Sequence, residues 1–578
     1  MTTVDRRPYL TATDLTQDLL DEMADNLNGK IEMVAHIKTP DGGTIYVSDR
    51  HKYVGGQFYT ALIQNMPLIS KTIGEWLVPG ITFSAISLEV SNVDGRFNNY
   101  LPAGDDYLNW VGLDVTILIG IDDIASSYKT IFEGFITEVG GMGRTTKTLN
   151  FTARDRYDTI NESFPTVTFS NSEYPFIEDS LIGTLKPMIL GNWTQFNNRT
   201  PAQIPAFVVN GADPNVQDAP RNNVKLVISE TVNQFFINGG CYYKVDDNNY
   251  ALVPSTEIVN VNGDKNYFEV LQDTAVEWFP TGDEAIPFGP YEYSSGDEFL
   301  VQVVGVDIGG VGFDDNIVAQ AKHILLTYTP LVPADFDANW ETYRTKAAPA
   351  QSAISTFISR VWVQDAQGAL EYALQLLEQV RLELFIEREN LNVKLKSLHF
   401  EDFAASPSYT LKNWDVARDS LSIAISDTTV FNRLQGDFDF NPSLDGNNFK
   451  TSIFRNQASI DATKPIAKGV FFPNLVDRTV CNLQITEILR LASSQFEVLD
   501  LQVTWRSLLL DIGQDVKFDV KIGSSLFDNV VCTVRDIGYS PSGVVTLKLW
   551  SYQMTPFPGY VPGYPGTVGG YDAVILEE

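Results

Sequence analysis

The sequence predicts a mainly β, multidomain chain with α+β parts, in which two similar β-barrel-like domains bracket an inserted β module and an α+β unit. Three observations carry that reading. First, 511–552 (DIGQDVKFDVKIGSSLFDNVVCTVRDIGYSPSGVVTLKLWSY) holds three strand-like runs, at 516–520, 530–534 and 544–549. Turn formers at 523–525 and 540–543 separate them, which is the signature of a meander. Second, the same plan recurs near the N-terminus, with strands at 116–119, 131–139 and 148–153. Gly112-x-Asp114-Val115 matches Gly513-x-Asp515-Val516, and Thr148-Leu149-Asn150-Phe151 is aligned with Thr546-Leu547-Lys548-Leu549. Third, the character switches at 316–381, where apolar residues take helical spacing, most clearly at 365–381. Two equivalent units in one chain suit assembly more than catalysis.

Composition sets the outer limits. With 578 residues the chain has room for three to five domains at roughly 100–200 residues each. The 34 Phe, 24 Tyr and 9 Trp favour β structure and large contact surfaces. With 41 basic and 73 acidic side chains the net charge is −32, which argues against gripping nucleic acid, since phosphate binding needs clustered Lys and Arg. The acidity fits either simple solubility or a surface that DNA must pass without sticking. Cys241, Cys481 and Cys532 are far apart and lack CxxC pairing, so a reducing compartment is expected rather than a disulfide framework or zinc ribbon. The N-terminal residues lack an apolar core of the signal-peptide kind and no run suits a membrane helix. A soluble protein made in a cytoplasm is expected.

In chain order, 1–29 is expected to be a helical arm, capped at Thr13 or Asp14 and ending at Asn28-Gly29. The first β domain spans 30–165, with strands at 31–37, 44–47, 57–63 and 81–90 before the first meander. Asn92-Val93-Asp94-Gly95 is expected to be a turn. A Pro- and Gly-bounded extended connector occupies 166–194, and an inserted β module 195–305, with strands at 224–229, 234–237, 242–245 and 250–253. The α+β domain at 306–405 has helices at 316–328 and 365–381, then a hairpin at 382–387 and 391–395. The second β domain at 406–553 adds strands at 434–440 and 501–505 and a helix at 483–492 to the C-terminal meander. The Pro/Gly/Tyr-rich tail, 554–578, is too poor in patterned apolar residues to pack alone and is expected to order only by docking.

No catalytic pattern survives inspection. The GGMGRTTKT stretch at 140–148 fails the phosphate-loop spacing and is followed by a strand, so it reads as a hairpin turn. The acid pairs Asp105-Asp106, Asp122-Asp123, Asp246-Asp247 and Asp314-Asp315 are neighbours in turns, which cannot face each other across a glycosidic bond. His36, His51, His323 and His399 lack metal-ligand spacing, and Asn92-x-Asp94-Gly95 lacks the rest of a calcium loop. No nucleophile motif is present. No catalytic, cofactor-binding or metal-binding residue is therefore assigned, and a non-enzyme is expected.

Four features in order resemble the hub proteins at the tip of long bacteriophage tails. LEVSNVDGRF, GLDVTILIG, FEGFITEV and LNFTARDRYD, at 88–158, resemble that family's first hub domain. The connector 182–191 is similar to its "IGKPIPIVYG" segment, with Lys186, Met188 and Leu190 in place of small or β-branched residues. Phe431-Asn432-Arg433-Leu434 with 437–440 is similar to its aromatic strand. Ala458-Ser459-Ile460, the helix at 483–492 and 510–552 resemble its second hub domain. The resemblance covers most of the chain outside 195–305 and the tail. It implies a virion component of the tail tip or baseplate: a homotrimeric ring joining a sixfold tail tube, or a distal tail protein, to a threefold spike. That ring would line part of the channel for DNA and the tape-measure protein. The alternatives are a receptor- or carbohydrate-binding tail protein, with Trp278 and Tyr291 as candidate contacts, or a hub fused to a cell-wall hydrolase.

Overall fold

The computed structural model describes residues 31–73, 81–82, 85–101, 109–121, 124–141, 147–156, 160–174, 177, 179–194, 204–209, 224–227, 234–235, 240–246, 249–253, 258–262, 267–270, 298–306, 308, 314–345, 357–386, 392–398, 407, 409–417, 420–426, 431–442, 449–462, 464–492, 496–503, 510–522, 525–540, 544–551 and 574–577. They form several sheets, with α-helices grouped in 317–345, 369–378 and 457–492.

The first β-unit is a nine-stranded sheet. Its central strands run in the order Ile31–Lys38, Asp114–Ile121, Lys129–Gly140, Thr148–Asp155, Ala85–Ser91 and Ile63–Asn65. Alternation explains the fold locally: Ile86, Leu88 and Val90 are buried on one strand, and Leu149, Phe151 and Ala153 on its neighbour. The second β-unit orders its strands Tyr409–Lys412, Asp515–Ile522, Ser525–Tyr539, Val545–Ser551, Phe496–Val503 and Ser422–Ser426. The inner faces of both units merge into a single hydrophobic core, from Met33 to Leu549. Neither sheet closes on itself among the described residues.

A second core gathers residues from 160–395, between the units, with others from 431–492 inside the second. Helix Ile317–Tyr328, capped by the Asn316 side chain on the amides of Val318 and Ala319, packs on helix Ala369–Glu378. The expected connector is not free chain: Met188–Leu190 is fully buried and pairs with Val361–Val363. Lys186 is buried too, bonded to Glu173 at 2.7 Å and stacked on Tyr174. Within 195–305, Cys241–Asp246, Phe299–Val301, Ile204–Val208 and Val224–Val227 are consecutive strands of a seven-stranded sheet. Its core gathers Trp193, Ile204, Phe299 and Val301.

Several expectations shift. The helix expected at 365–381 covers only Ala369–Glu378, because Gln367–Gly368 pairs with Ser163–Phe164. The helix expected at 483–492 starts earlier, at Arg478, where Asp477 accepts from the Thr479 amide at 2.7 Å. The strand expected at 501–505 begins at Phe496. The tail is not wholly unpaired: Val574–Glu577 lies antiparallel to Lys450–Asn456 of its own chain. The N-terminal arm, Asp105-Asp106, Asp122-Asp123, His399, Trp278 and Tyr291 lie outside the described residues.

Candidate functional site

The two β-units correspond residue by residue at their bulged central strands. In the first, Gly112 (φ +89°) turns the chain so that its amide donates to Ile136 O at 2.8 Å, and the Ile136 amide donates to Leu113 O at 2.8 Å. In the second, Gly513 (φ +77°) donates to Val534 O at 2.8 Å, and Val534 donates to Gln514 O at 2.9 Å. A positive φ is what makes glycine the suitable residue at both turns. Pairing then begins at Asp114 with Phe135, and at Asp515 with Thr533. The register shifts at Ile136/Glu138 in one unit and at Val534/Asp536 in the other, so one extra residue bends each strand at the same point.

One sequence alignment needs correcting. Ile136 faces Ala153 and Val534 faces Leu549, so Phe151 corresponds to Leu547 and not to Leu549. A slip of two residues keeps every side chain on its face, so alternation could not reveal it.

The units are joined by backbone. Ile69–Ile73, which leaves the first unit between Ile63–Asn65 and Ala85–Ser91, pairs antiparallel with Asp536–Tyr539 of the second. Thr72 donates to Asp536 Oδ2 at 3.0 Å, and Ile69 and Tyr539 are fully buried. Burial in this seam raises the Asp536 pKa, and the Thr72 hydrogen bond partly offsets it.

The turn faces differ. At the second unit the hairpin Leu382–Ile386 with Val393–Ser397 covers Gly513. Buried Lys396 reaches Gly513 O at 2.6 Å and Asp515 Oδ1 at 2.5 Å, and Thr533 donates to the same carboxylate. Arg535 forks onto Glu383 at 2.5 and 2.7 Å with its guanidinium 4.3 Å over Trp550. Burial lowers the Lys396 pKa, and Asp515 opposes that. At the first unit the equivalent turn is open: Gly112 and Asp114 are exposed, as is Val111 at 53%. Sequence reasoning missed the ionic cluster. Glu383 and Lys396 sit on the side of the hairpin that alternation assigns to solvent, opposite Leu384 and Leu395.

Among solved structures, the chain is similar to the 43 kDa tail protein of prophage MuSo2 from Shewanella oneidensis, with 9% identity, a TM-score of 0.38, and coverage of 90% of this chain and 98% of that one. It is also similar to a tail protein from Neisseria meningitidis MC58 (8%, 0.38, 90% and 97%) and to prophage tail protein gp18 from Listeria monocytogenes EGD-e (8%, 0.36, 91% and 95%). No protein-family model and no curated protein matches the sequence.

A cavity of about 590 Å³ lies between the helix Ala369–Glu378 and the sheet around Ala467–Phe472, lined by Trp193, Trp362, Phe440, Phe471, Arg360 and Glu378 among others. Arg360 is held by Asn192 O at 2.8 Å and Asp439 at 3.4 Å. Burial pushes the Glu378 carboxyl up to about 7. The remaining sequence candidates play local roles. Asp314 pairs with Arg344 at 2.7 Å, and Asp315 O accepts from the Ser359 amide. Asn92 Oδ1 accepts from the Phe97 amide at 2.9 Å around Gly95 (φ +74°), which is a turn. His36 bonds the Tyr59 hydroxyl at 2.7 Å, His51 accepts from the Ala61 amide, and His323 has a pKa lowered by burial. All three cysteines are free and buried, and no His/Cys/Asp/Glu group among the described residues has metal-binding geometry.

Proposed function

We propose that this chain is a non-enzymatic structural subunit of a phage tail tip: a trimeric baseplate or tail hub that joins the sixfold tail tube to the threefold central spike. The doubled β-unit is the observation that carries this reading. Two units with one strand order, one bulge and one shared core provide, in three copies, six quasi-equivalent positions for a sixfold neighbour. The ordered motifs resembling hub proteins support the same reading. In this role the units flank the channel for DNA and the tape-measure protein. The net charge of −32 repels phosphate where it faces the lumen, over a Debye length of about 8 Å. A tail-tube or distal tail protein sits above and a spike protein below.

Sedimentation velocity with electron imaging of the purified chain, alone and beside tube and spike proteins, tests the proposal. Three-copy rings are expected, and a persistent monomer in every mixture overturns it.

The aromatic-lined cavity favours a second reading, a receptor- or carbohydrate-binding tail protein. Trp193, Trp362, Phe440 and Phe471 line it together with Arg360 and Glu378, the mix of aromatic faces and a few polar groups typical of small-ligand sites. Binding on a panel of bacterial surface glycans, lost in Trp362→Ala, would favour it over the hub.

A further inference from the structure

The bulged strand of the second unit has two partners in succession along one side. Asp515–Ile522 pairs with it as far as Thr533, and Ile69–Ile73 continues along Asp536–Tyr539. Among the described residues, the bulged strand of the first unit has only the first kind of partner. Asp114–Ile121 reaches Phe135, and the turn at Gly112 and Leu113 covers Ile136. Beyond that point, no strand among the described residues lies on that side of Glu138, Val139 and Gly140. The two places match in sequence, Asp536-Ile537-Gly538 against Glu138-Val139-Gly140. Glu138 is exposed and its two neighbours are partly so.

We propose that this edge receives a β-strand from a second copy of the chain, so that the seam between chains repeats the seam within one. The inference rests on the ring reading above. In a closed ring of alternating units, each contact from first to second unit inside a chain is followed by one from second unit to first between chains. The donor's place in the chain follows from topology. Within the chain, the donated strand lies in the excursion between Ile63–Asn65 and Ala85–Ser91. The matching excursion of the second unit runs between Ser422–Ser426 and Phe496–Val503 and carries the outer strand Ala467–Phe472. That strand pairs on one side only among the described residues, exposes Phe471 at 57%, and offers exposed Lys468, opposite in sign to Glu138. An exposed apolar edge strand is a template for pairing with another chain.

The test uses the full chain. Sedimentation over a concentration series compares wild type with Val139→Pro, a change tolerated on a strand edge but removing an amide donor, and thermal unfolding checks that the variant folds. The expected result is a rise in the self-association Kd of about tenfold or more with cooperative unfolding retained. In parallel, hydrogen exchange on the wild type compares assembled with diluted chain, and a gain in protection within 138–140 on assembly is expected, from amides that point away from the strand Thr148–Asp155. This second measurement decides the matter if the variant does not fold. Glu138→Cys with Lys468→Cys is expected to give interchain disulfides under mild oxidation, the native cysteines being buried. Rings that form with an unchanged Kd in folded Val139→Pro, or with 138–140 exchanging equally in both states, overturn the strand exchange and leave the hub reading standing. A wild type that stays monomeric both alone and beside tube and spike proteins overturns both.

Discussion

The two β-units begin from nearly the same backbone and end in different surroundings. Gly112 and Gly513 make the same turn, and Asp114 and Asp515 open the same strand. Around Gly112 a Cβ would meet nothing within 4 Å, whereas at Gly513 it would meet the Phe385 ring at 3.3 Å. Asp114 faces water, while Asp515 anchors Lys396 beneath a docked hairpin. Equivalent residues thus do unequal work, because the α+β unit covers one copy and leaves the other free. In this asymmetric pair one unit carries the docked hairpin and the other presents its turn to solvent.

The largest expected effect breaks this asymmetry at its ionic core. Lys396→Met removes the buried cation from the part-buried Asp515 carboxylate and is expected to cost about 3–5 kcal/mol in denaturant unfolding. Asp114→Asn, at the corresponding open position, is expected to stay within about 0.5 kcal/mol. Equal losses at both sites would contradict the picture of one covered and one open turn.

A smaller contrast comes from the glycines beyond each bulge. A Cβ on Gly538 would lie 2.4 Å from Thr546 Oγ1, while at Gly140 the nearest atom is Asn150 Cβ at 3.6 Å. Gly538→Ala is expected to destabilise by about 1–3 kcal/mol. Gly140→Ala is expected to be neutral or to stabilise by up to about 1 kcal/mol by restricting the unfolded chain. Calorimetric melts of the two variants check the difference in sign.

The smallest effect is a pH dependence confined to the inner seam. Burial raises the folded-state pKa of Asp536 above its ordinary 3.8, so the folded chain holds this proton more tightly than the unfolded one. Its contribution to stability is therefore most favourable below the unfolded value and declines as pH rises through the folded pKa. Asp536→Asn is expected to remove that decline, giving higher stability than wild type at pH 7 and a flatter profile from pH 4 upward. Urea midpoints across this range supply the measurement.

Much of the β framework was legible because alternation reports burial directly. The strands around Leu88, Val115, Phe151 and Leu547 all read from period-two patterns, and the repeated Gly-x-Asp-Val exposed the doubling. Helix ends and the two-residue slip in the third strand were not legible. Both depend on pairing partners distant in sequence, such as Ser163–Phe164 with Gln367–Gly368.

Of the candidate assembly site, the sequence by itself determined the two turns, their glycines and the strands that follow, since these obey local backbone geometry and side-chain periodicity. Only the tertiary structure decided that Ile69–Ile73 crosses to Asp536–Tyr539, that Lys396 is buried and Glu383 partly so, and that no strand among the described residues lies on the outer side of Glu138–Val139–Gly140. The reason is physical: a strand's hydrogen-bonding edges look alike in any sequence, and which edge is filled depends on what the rest of the chain brings beside it.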